Sequence, residues 1–188
     1  MKKLLLIIVA AMMTSISTQA QKQPTGMRVE VTEVETDNGE YSIFTYKDTD
    51  ENDSFCYYLS LGRVTDFLGA SEILGVEIKN IHEVTICLGA TTDEALATIG
   101  SILDLYDKDV DTMVEFQGRA ATSGFQLGGA VAVTCTVVKK MLGGKRLQFL
   151  FPSGKRQARA YLSKSTLKEL RTGFKFDIKL HPKRHRKQ

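Results

Sequence analysis

The 188-residue chain has no tryptophan and only three each of histidine, proline and cysteine. Histidine is the commonest general base and metal ligand, and two of the three, His181 and His185, lie within the last eight residues. The GxSxG, HExxH and phosphate-binding-loop patterns of common enzymes do not occur. We therefore predict no catalytic residue, no metal site and no cofactor, and the sequence favours a protein that is not an enzyme.

Long apolar runs are missing after the first twenty residues. Lys2 and Lys3 precede an apolar run over 4–13, which has about half the ~20 residues that a bilayer span needs, and small polar residues follow it. This order is typical of a secretory signal peptide with cleavage near Ala20. We expect residues 1–20 to be the signal peptide and 21–26 a flexible leader. The mature protein is then expected to be soluble and secreted, or periplasmic in a bacterium.

The three cysteines are Cys56, Cys87 and Cys135, each within an apolar run that is typical of a strand. Their spacing fits neither a zinc site nor a CxxC redox motif. We expect three buried free thiols that pack as small apolar side chains. A disulfide between two of the three is the alternative in an oxidising compartment.

Residues 130–162 read as three antiparallel strands, joined at Gly143-Gly144 and at Ser153-Gly154. Two-residue loops at both places would pair Val138 with Phe149, and Phe149 with Ala158. One face of the sheet would then be apolar and buried: Val138, Leu147, Phe149, Phe151, Ala158, Ala160 and Leu162. The other face would be wet: Lys139, Arg146, Gln148, Gln157, Arg159 and Tyr161.

The rest of the chain predicts an α+β fold, mainly an antiparallel sheet over residues 27–181, followed by a basic disordered tail at 182–188. The clearest helix is 92–106, where Thr91 and Glu94 form a capping box. A second helix is expected from Ser163 until Gly173 stops it, and the alternating residues 174–180 predict a closing strand.

An internal repeat is suggested by two similar orders of elements, at 27–82 and 130–181. Each predicted unit is βββαβ-like, its third strand ends in Tyr-Leu-Ser (58–60 and 161–163), and the helix 92–106 lies between the units. Chance similarity of two meanders is the alternative. If the repeat is real, Phe44, Tyr46, Tyr57 and Leu59 share one buried face, and Tyr58 points the other way.

Charge is divided unevenly between the halves of the chain. Residues 27–129 contain six Lys/Arg and twenty Asp/Glu, a net charge of −14, whereas residues 130–188 contain sixteen and two, a net charge of +14. The halves could neutralise each other within one molecule, could drive self-association between molecules, or the basic half could bind a polyanion.

The wet face of the C-terminal strands carries the candidate ligand-binding residues, which are Lys139, Arg146, Gln148, Arg159 and Tyr161. Guanidinium groups beside a phenol ring on a rigid sheet suit a carboxylate, sulfate or phosphate group. The alternative is an ordinary solvated face whose charges prevent association of sheets.

These observations predict a small exported, non-catalytic binding or assembly module of unknown ligand. The first alternative is binding of a polyanion, such as an acidic glycan or lipopolysaccharide, by the basic C-terminal half. The second is a hydrolase with acidic catalytic residues that no motif reveals, because carboxylates crowd residues 48–53 and 104–111.

Overall fold

Eight antiparallel strands follow one another across one sheet in the same order as along the chain. This computed structural model describes residues 26–36, 39–48, 55–65, 81–121, 127–140, 143–153 and 156–185. The strands are β1 (Gly26–Thr36), β2 (Gly39–Asp48), β3 (Phe55–Thr65), β4 (Ile81–Gly89), β5 (Met113–Ala121), β6 (Ala130–Lys139), β7 (Lys145–Ser153) and β8 (Arg156–Leu162). The helices within these ranges are α1 (Thr92–Asp104), followed by a 3₁₀ turn (Leu105–Asp107), and α2 (Lys164–Leu180). The prediction of a mainly antiparallel α+β fold is confirmed at this level.

Helix α1 begins where the capping box predicted. The Thr91 hydroxyl accepts a hydrogen bond from the Glu94 backbone N–H, and the Glu94 carboxylate accepts from the Thr91 N–H. Two donors that the first turn leaves free are thereby satisfied. The helix buries Ala95, Ile99 and Ile102 against the sheet.

Both helices cover the same face of the sheet, which we call the inner face. Helix α1 packs on β4 and helix α2 packs on β1, while the curvature of the sheet brings β8 into contact with β3. Two tyrosine hydroxyls fasten the end of β8: Tyr41 donates to the Tyr161 carbonyl and Tyr106 donates to the Leu162 carbonyl. The main apolar core therefore lies between the inner face and the two helices.

The opposite, outer face has an apolar cluster of its own across β2 and β3. This outer aromatic cluster consists of Phe44, Tyr46, Tyr58 and Leu127, with Cys56 and Cys87 packed against it. Phe44 is paired with Tyr58, whereas Tyr57 and Leu59 belong to the inner core. The prediction that Phe44 and Tyr46 share a face with Tyr57 and Leu59 is therefore wrong, although Tyr58 does point away from Leu59.

The hairpin at Gly143-Gly144 has a longer loop than the glycine pair predicted. Lys139 pairs with Lys145, and Cys135 rather than Val138 pairs with Phe149. Both glycines have positive φ, but they close a five-residue connection, 140–144, in which Lys140 and Gly144 are hydrogen-bonded. The register differs by an odd number of residues, so β6 presents its other side to the core. The buried residues of β6 are Val133, Cys135 and Val137, and the prediction for Val138 is wrong.

The second hairpin differs from its prediction without changing faces. Phe149 pairs with Ala160 instead of Ala158, a shift of two residues. An even shift keeps every side chain on its face. Burial of Leu147, Phe149 and Phe151 is therefore confirmed.

Helix α2 continues through Gly173 to Leu180, so the predicted closing strand at 174–180 is wrong. A Cβ at Gly173 would lie 2.2 Å from the Thr32 hydroxyl, so this glycine lets the helix approach β1 and does not end it. Phe174 is buried while Phe176 is 62% exposed, as helical spacing requires. The second predicted unit thus lacks its last strand. The short helix expected in the first unit, at 62–70, is wrong for residues 62–65, which belong to β3, and residues 66–70 lie outside the described ranges.

The first residues of the predicted disordered tail are folded against the domain. Residues 182–185 form a turn after α2, and the His185 side chain is only 3% exposed. The run of basic residues suggested a solvated tail, but the His185 ring stacks on Tyr57 and meets the edge of Phe174.

Candidate functional site: the outer face of strands β6 to β8

Strand register places four of the five candidate residues on the outer face of the C-terminal strands. Gln148 of β7 lies opposite Tyr161 of β8, and Arg159 lies opposite Leu150. Arg146 is two residues before Gln148 on β7, and alternation along the strand puts it on the same face. We call Arg146, Gln148, Arg159 and Tyr161 the basic face.

Lys139 does not belong to the basic face. It pairs with Lys145 and has the same parity along β6 as the buried Val137 and Cys135. Its side chain is exposed because it lies at the end of the strand, beyond the core. The loop length at Gly143-Gly144 caused the error, since the shifted register exchanged the two faces of β6.

Arg146 is held by aromatic stacking. Its guanidinium carbon lies 3.8 Å from the centroid of the Tyr161 ring, and the Gln148 side-chain amide donates to the Tyr161 hydroxyl at 3.1 Å. Within the described ranges Arg146 makes no hydrogen bond or ion pair, and its Nε is buried without a partner. The ring therefore orients the guanidinium while leaving its donors uncommitted.

The three strands that carry the basic face contain basic side chains and no acidic ones. No aspartate or glutamate occurs between Ala130 and Ser163, and the two acidic residues that follow, Glu169 and Asp177, lie on α2. Because α2 packs on the inner side of β1, these carboxylates are separated from the basic face by the sheet. An anionic group placed here would meet donors without a competing carboxylate on the same strands.

A second polar cluster, which the sequence did not reveal, links the first four strands. Arg28 on β1 donates to both carboxylate oxygens of Glu83 on β4 at 2.8 Å, and the Ser60 hydroxyl donates to Glu83 at 2.7 Å. Burial disfavours the charge of Arg28, but hydrogen bonding and attraction to Glu83 outweigh it and raise the pKa of Arg28. Arg28 also stacks on Phe44. Since its charges are mutually satisfied, this cluster is better suited to linking strands than to binding a ligand.

A third cluster connects the C-terminus to the sheet. His185 Nδ1 lies 2.8 Å from the Tyr57 hydroxyl, and its Nε2 lies 2.8 Å from Asp177 Oδ2. Burial, with a smaller contribution from the Asp177 charge, raises the pKa of Tyr57 to about 12. The hydroxyl belongs to a fully buried side chain, which a substrate cannot reach, so the arrangement holds α2 and the turn after it against β3.

The described residues provide neither a metal site nor a helix that could span a membrane. Among the described residues no group of three or more His, Cys, Asp or Glu side chains could hold a metal ion. Most of the acidic run 48–53 lies outside the described ranges. Of the described helices, none combines the length and the apolarity that crossing a bilayer requires.

Comparison with known proteins gave no relatives. No protein-family model, curated protein or solved structure matched the chain. Function therefore has to be inferred from the geometry of the basic face and from the distribution of charge.

Proposed function

We propose that the protein is a non-catalytic binding module that takes an anionic ligand on the basic face. The ligand class is a polyanion that carries carboxylate, sulfate or phosphate groups, such as an acidic glycan. The observation that carries the proposal is the guanidinium of Arg146, stacked on Tyr161 with its donors uncommitted, on strands without carboxylates.

Pre-organisation distinguishes this face from an ordinary solvated surface. A free arginine side chain loses about 2 kcal/mol of rotamer entropy when a ligand fixes it, whereas Arg146 is already oriented by the Tyr161 ring. The backbone beneath it is a paired strand in the middle of β6, β7 and β8. Anion contacts on this face therefore carry a smaller ordering cost than contacts from isolated surface lysines.

Heparin chromatography across a salt series tests the proposal. We expect Arg146→Ala with Arg159→Ala to weaken binding at low salt at least about tenfold, equivalent to about 1.4 kcal/mol, and to reduce the salt dependence of elution. The matched control is Lys175→Ala with Lys179→Ala, which removes the same charge from exposed positions of α2. Equal losses in the two double variants would show that binding follows net charge, and the basic face would then not be the site.

A charge-conserving variant separates geometry from charge. The double variant Arg146→Lys with Arg159→Lys keeps the net charge but cannot present a planar fork of donors. We expect it to bind heparin more weakly than the native protein and more strongly than the double alanine variant. Circular dichroism melting of each variant checks that the fold is retained.

Self-association through the oppositely charged halves is a second candidate, and the strand order favours it. The strand order places β1–β4, which carry six acidic and three basic residues, in a different part of the sheet from β6–β8, which carry five basic and no acidic residues. The exposed pair Lys164–Asp107 joins the two halves, and pairs of this kind contribute little. We expect light scattering to show assemblies at about 0.01 M salt and a monomer at about 0.15 M, as the Debye length falls from about 30 to about 8 Å. A monomer at both concentrations would exclude this candidate.

The hydrolase alternative finds no support among the described residues. Two carboxylates lie close together at Glu33 and Glu40, whose mutual repulsion raises the pKa of Glu33. Both side chains are exposed, whereas an acid catalyst of this type relies on a buried carboxyl group. We therefore prefer a binding function.

Export is proposed on the sequence alone, since residues 1–20 lie outside the described ranges. Intact mass of the protein recovered from a bacterial periplasmic fraction tests it. A chain that begins at Gln21 supports export with cleavage after Ala20, and a cytoplasmic chain that begins at Met1 contradicts it.

A further inference from the structure

Cys56 and Cys87 face each other on neighbouring strands. Cys87 of β4 is paired with Tyr58 of β3. Cys56 is two residues before Tyr58 and on the same face of β3, so it lies diagonally across from Cys87. The two Sγ atoms are 2.8 Å apart, closer than unbonded sulfur atoms ordinarily approach. Both side chains are half-buried beside the outer aromatic cluster.

The third cysteine cannot take part in this pair. Cys135 lies on β6 and is buried in the inner core, where it pairs across the ladder with Phe149. The sheet itself separates it from Cys56 and Cys87, which lie on the outer side.

We propose that Cys56 and Cys87 form a disulfide that joins β3 to β4, while Cys135 stays a free thiol. The sequence predicted three free thiols, with a disulfide between two of them as the alternative. This inference adopts the disulfide and identifies its two cysteines. It does not depend on the anion-binding function, because the cysteines and the basic face are on different strands.

Formation of the bond follows ordinary thiol–disulfide exchange with a small-molecule disulfide such as oxidised glutathione. The Cys87 thiolate attacks one sulfur of the oxidant, forming a mixed disulfide and releasing one glutathione thiolate. Cys56 then loses its proton and attacks the Cys87 sulfur, releasing the second. The two protein thiols thus lose two protons and two electrons, and the oxidant is reduced to two thiols.

The surroundings assign the attacking role to Cys87. The hydrogen bond from the Cys56 thiol, together with nearby Arg119, lowers the pKa of Cys87 to about 6, and burial acts in the opposite direction. Cys87 therefore supplies a thiolate near neutral pH. Cys56 keeps its proton until the mixed disulfide forms, because the hydrogen bond to Cys87 and burial raise the pKa of Cys56.

The bond would close the chain between positions that are 31 residues apart. A loop of this length restricts the unfolded chain substantially, so reduction should lower the melting temperature by about 5–10 °C. The bond would also hold together the two strands on either side of residues 66–80.

The test uses the full chain, reduced with dithiothreitol and then equilibrated with oxidised glutathione. Alkylation with N-ethylmaleimide in denaturant, followed by intact mass, should add one group before renewed reduction and three groups after it. Peptide mapping should recover a Cys56–Cys87 cross-linked peptide. Cys135→Ala, the matched control, should retain the cross-link, and Cys87→Ser should lose it.

Three added groups without renewed reduction, or a cross-linked peptide that contains Cys135, would overturn the proposal. Mapping of the native sequence needs no variant, so the result holds even if a substitution prevents folding. Heparin retention should be the same in reduced and oxidised protein, so failure of the disulfide and failure of the anion site are distinguishable.

Discussion

The outer face of the sheet is more deeply buried in the N-terminal half than in the C-terminal half. Across β2 and β3 the outer face is covered, and Phe44 and Tyr46 are as buried as the inner core residues. Across β6 to β8 the described residues leave the outer face open, with Gln148 half-buried and Arg159 exposed. One continuous sheet therefore has two buried sides at one end and a single buried side at the other.

The covering of the N-terminal half comes from elsewhere in the chain. Leu127, which follows β5, is fully buried in the outer aromatic cluster. The C-terminal strands receive no comparable apolar residue on their outer side among the described residues, and stacked Arg146 takes its place. A covered face contributes stability, whereas an open polar face is available for a ligand.

Replacing core aromatic residues of the C-terminal half should give the largest effect. Phe149→Ala removes a fully buried ring from the inner face and should lower the free energy of unfolding by about 3–5 kcal/mol. Gln148→Ala, one residue away on the open face, should cost less than about 1 kcal/mol, because it removes one hydrogen bond to Tyr161. Urea unfolding measures both, and the reverse ranking would mean that the faces are assigned wrongly.

A glycine at the junction of the two halves gives the next effect. A Cβ at Gly118 would lie 2.2 Å from the Thr85 carbonyl oxygen on β4 and 2.7 Å from Val133 on β6. Gly118→Ala should therefore destabilise the protein by about 1–3 kcal/mol, as overpacking does. Gly100→Ala, at a helical glycine with open space around it, should instead stabilise by about 0.5–1 kcal/mol. Thermal melts that show the same sign for both substitutions would contradict this packing.

The buried C-terminal histidine should contribute less than the core rings. His185→Ala leaves the Tyr57 hydroxyl and Asp177 without their shared partner, and should cost about 1–2 kcal/mol. His181, which is exposed and 3.8 Å from Asp177, is the control and should change stability by less than about 0.5 kcal/mol. Equal effects of the two substitutions would indicate that the C-terminus is not fastened to β3.

The reactivity of the thiols compares the outer side of the N-terminal half with the inner core by a measurement other than stability. In reduced protein, Cys87 on the outer side of the N-terminal half has a pKa lowered to about 6, so it is mainly thiolate at pH 7. Burial raises the pKa of Cys135 to about 12, so that group stays protonated. Iodoacetamide should modify Cys87 at a rate that rises through pH 6 and then levels off, while Cys135 stays unmodified up to pH 9. A midpoint above pH 8 for Cys87 would contradict the assigned environment.

A period of two made the inner faces of β7 and β8 predictable. Apolar residues recur at every second position from Leu147 to Phe151, as expected for a strand with a buried side. The residues 41–46 of β2 are all buried, and their sequence shows no clean alternation because both faces are covered. Transferring the single-sided pattern of the C-terminal half to β2 therefore misplaced Phe44 and Tyr46.

Short-range sequence signals predicted some element boundaries correctly and others wrongly. The capping box at Thr91 fixed the start of α1, since both of its partners are within one turn. Gly173 was misread because a glycine that allows close packing looks the same in sequence as one that ends a helix. The glycine pair predicted a two-residue loop at Gly143-Gly144, whereas the pairing of Lys139 with Lys145 makes the connection five residues long.

The candidate residues were predicted by alternation, but the clusters around them were not. Arg146, Gln148 and Tyr161 were identified together because two residues of one strand and one of the next share a face. The Arg28–Glu83 pair spans four strands and required the whole strand order. The Cys56–Cys87 pair likewise depends on the pairing of β3 with β4.

One pair of substitutions tests most directly whether the N-terminal half of the sheet is buried on both sides and the C-terminal half on one. Phe44→Ala and Leu150→Ala each truncate an apolar side chain of the outer face. Phe44 lies within the buried residues 41–46 of β2, whereas Leu150 is half-buried on β7. Urea unfolding should show a loss of about 3–5 kcal/mol for Phe44→Ala and less than about 1.5 kcal/mol for Leu150→Ala. Losses of similar size would contradict the account, since they would mean that the outer face is covered equally at both ends of the sheet.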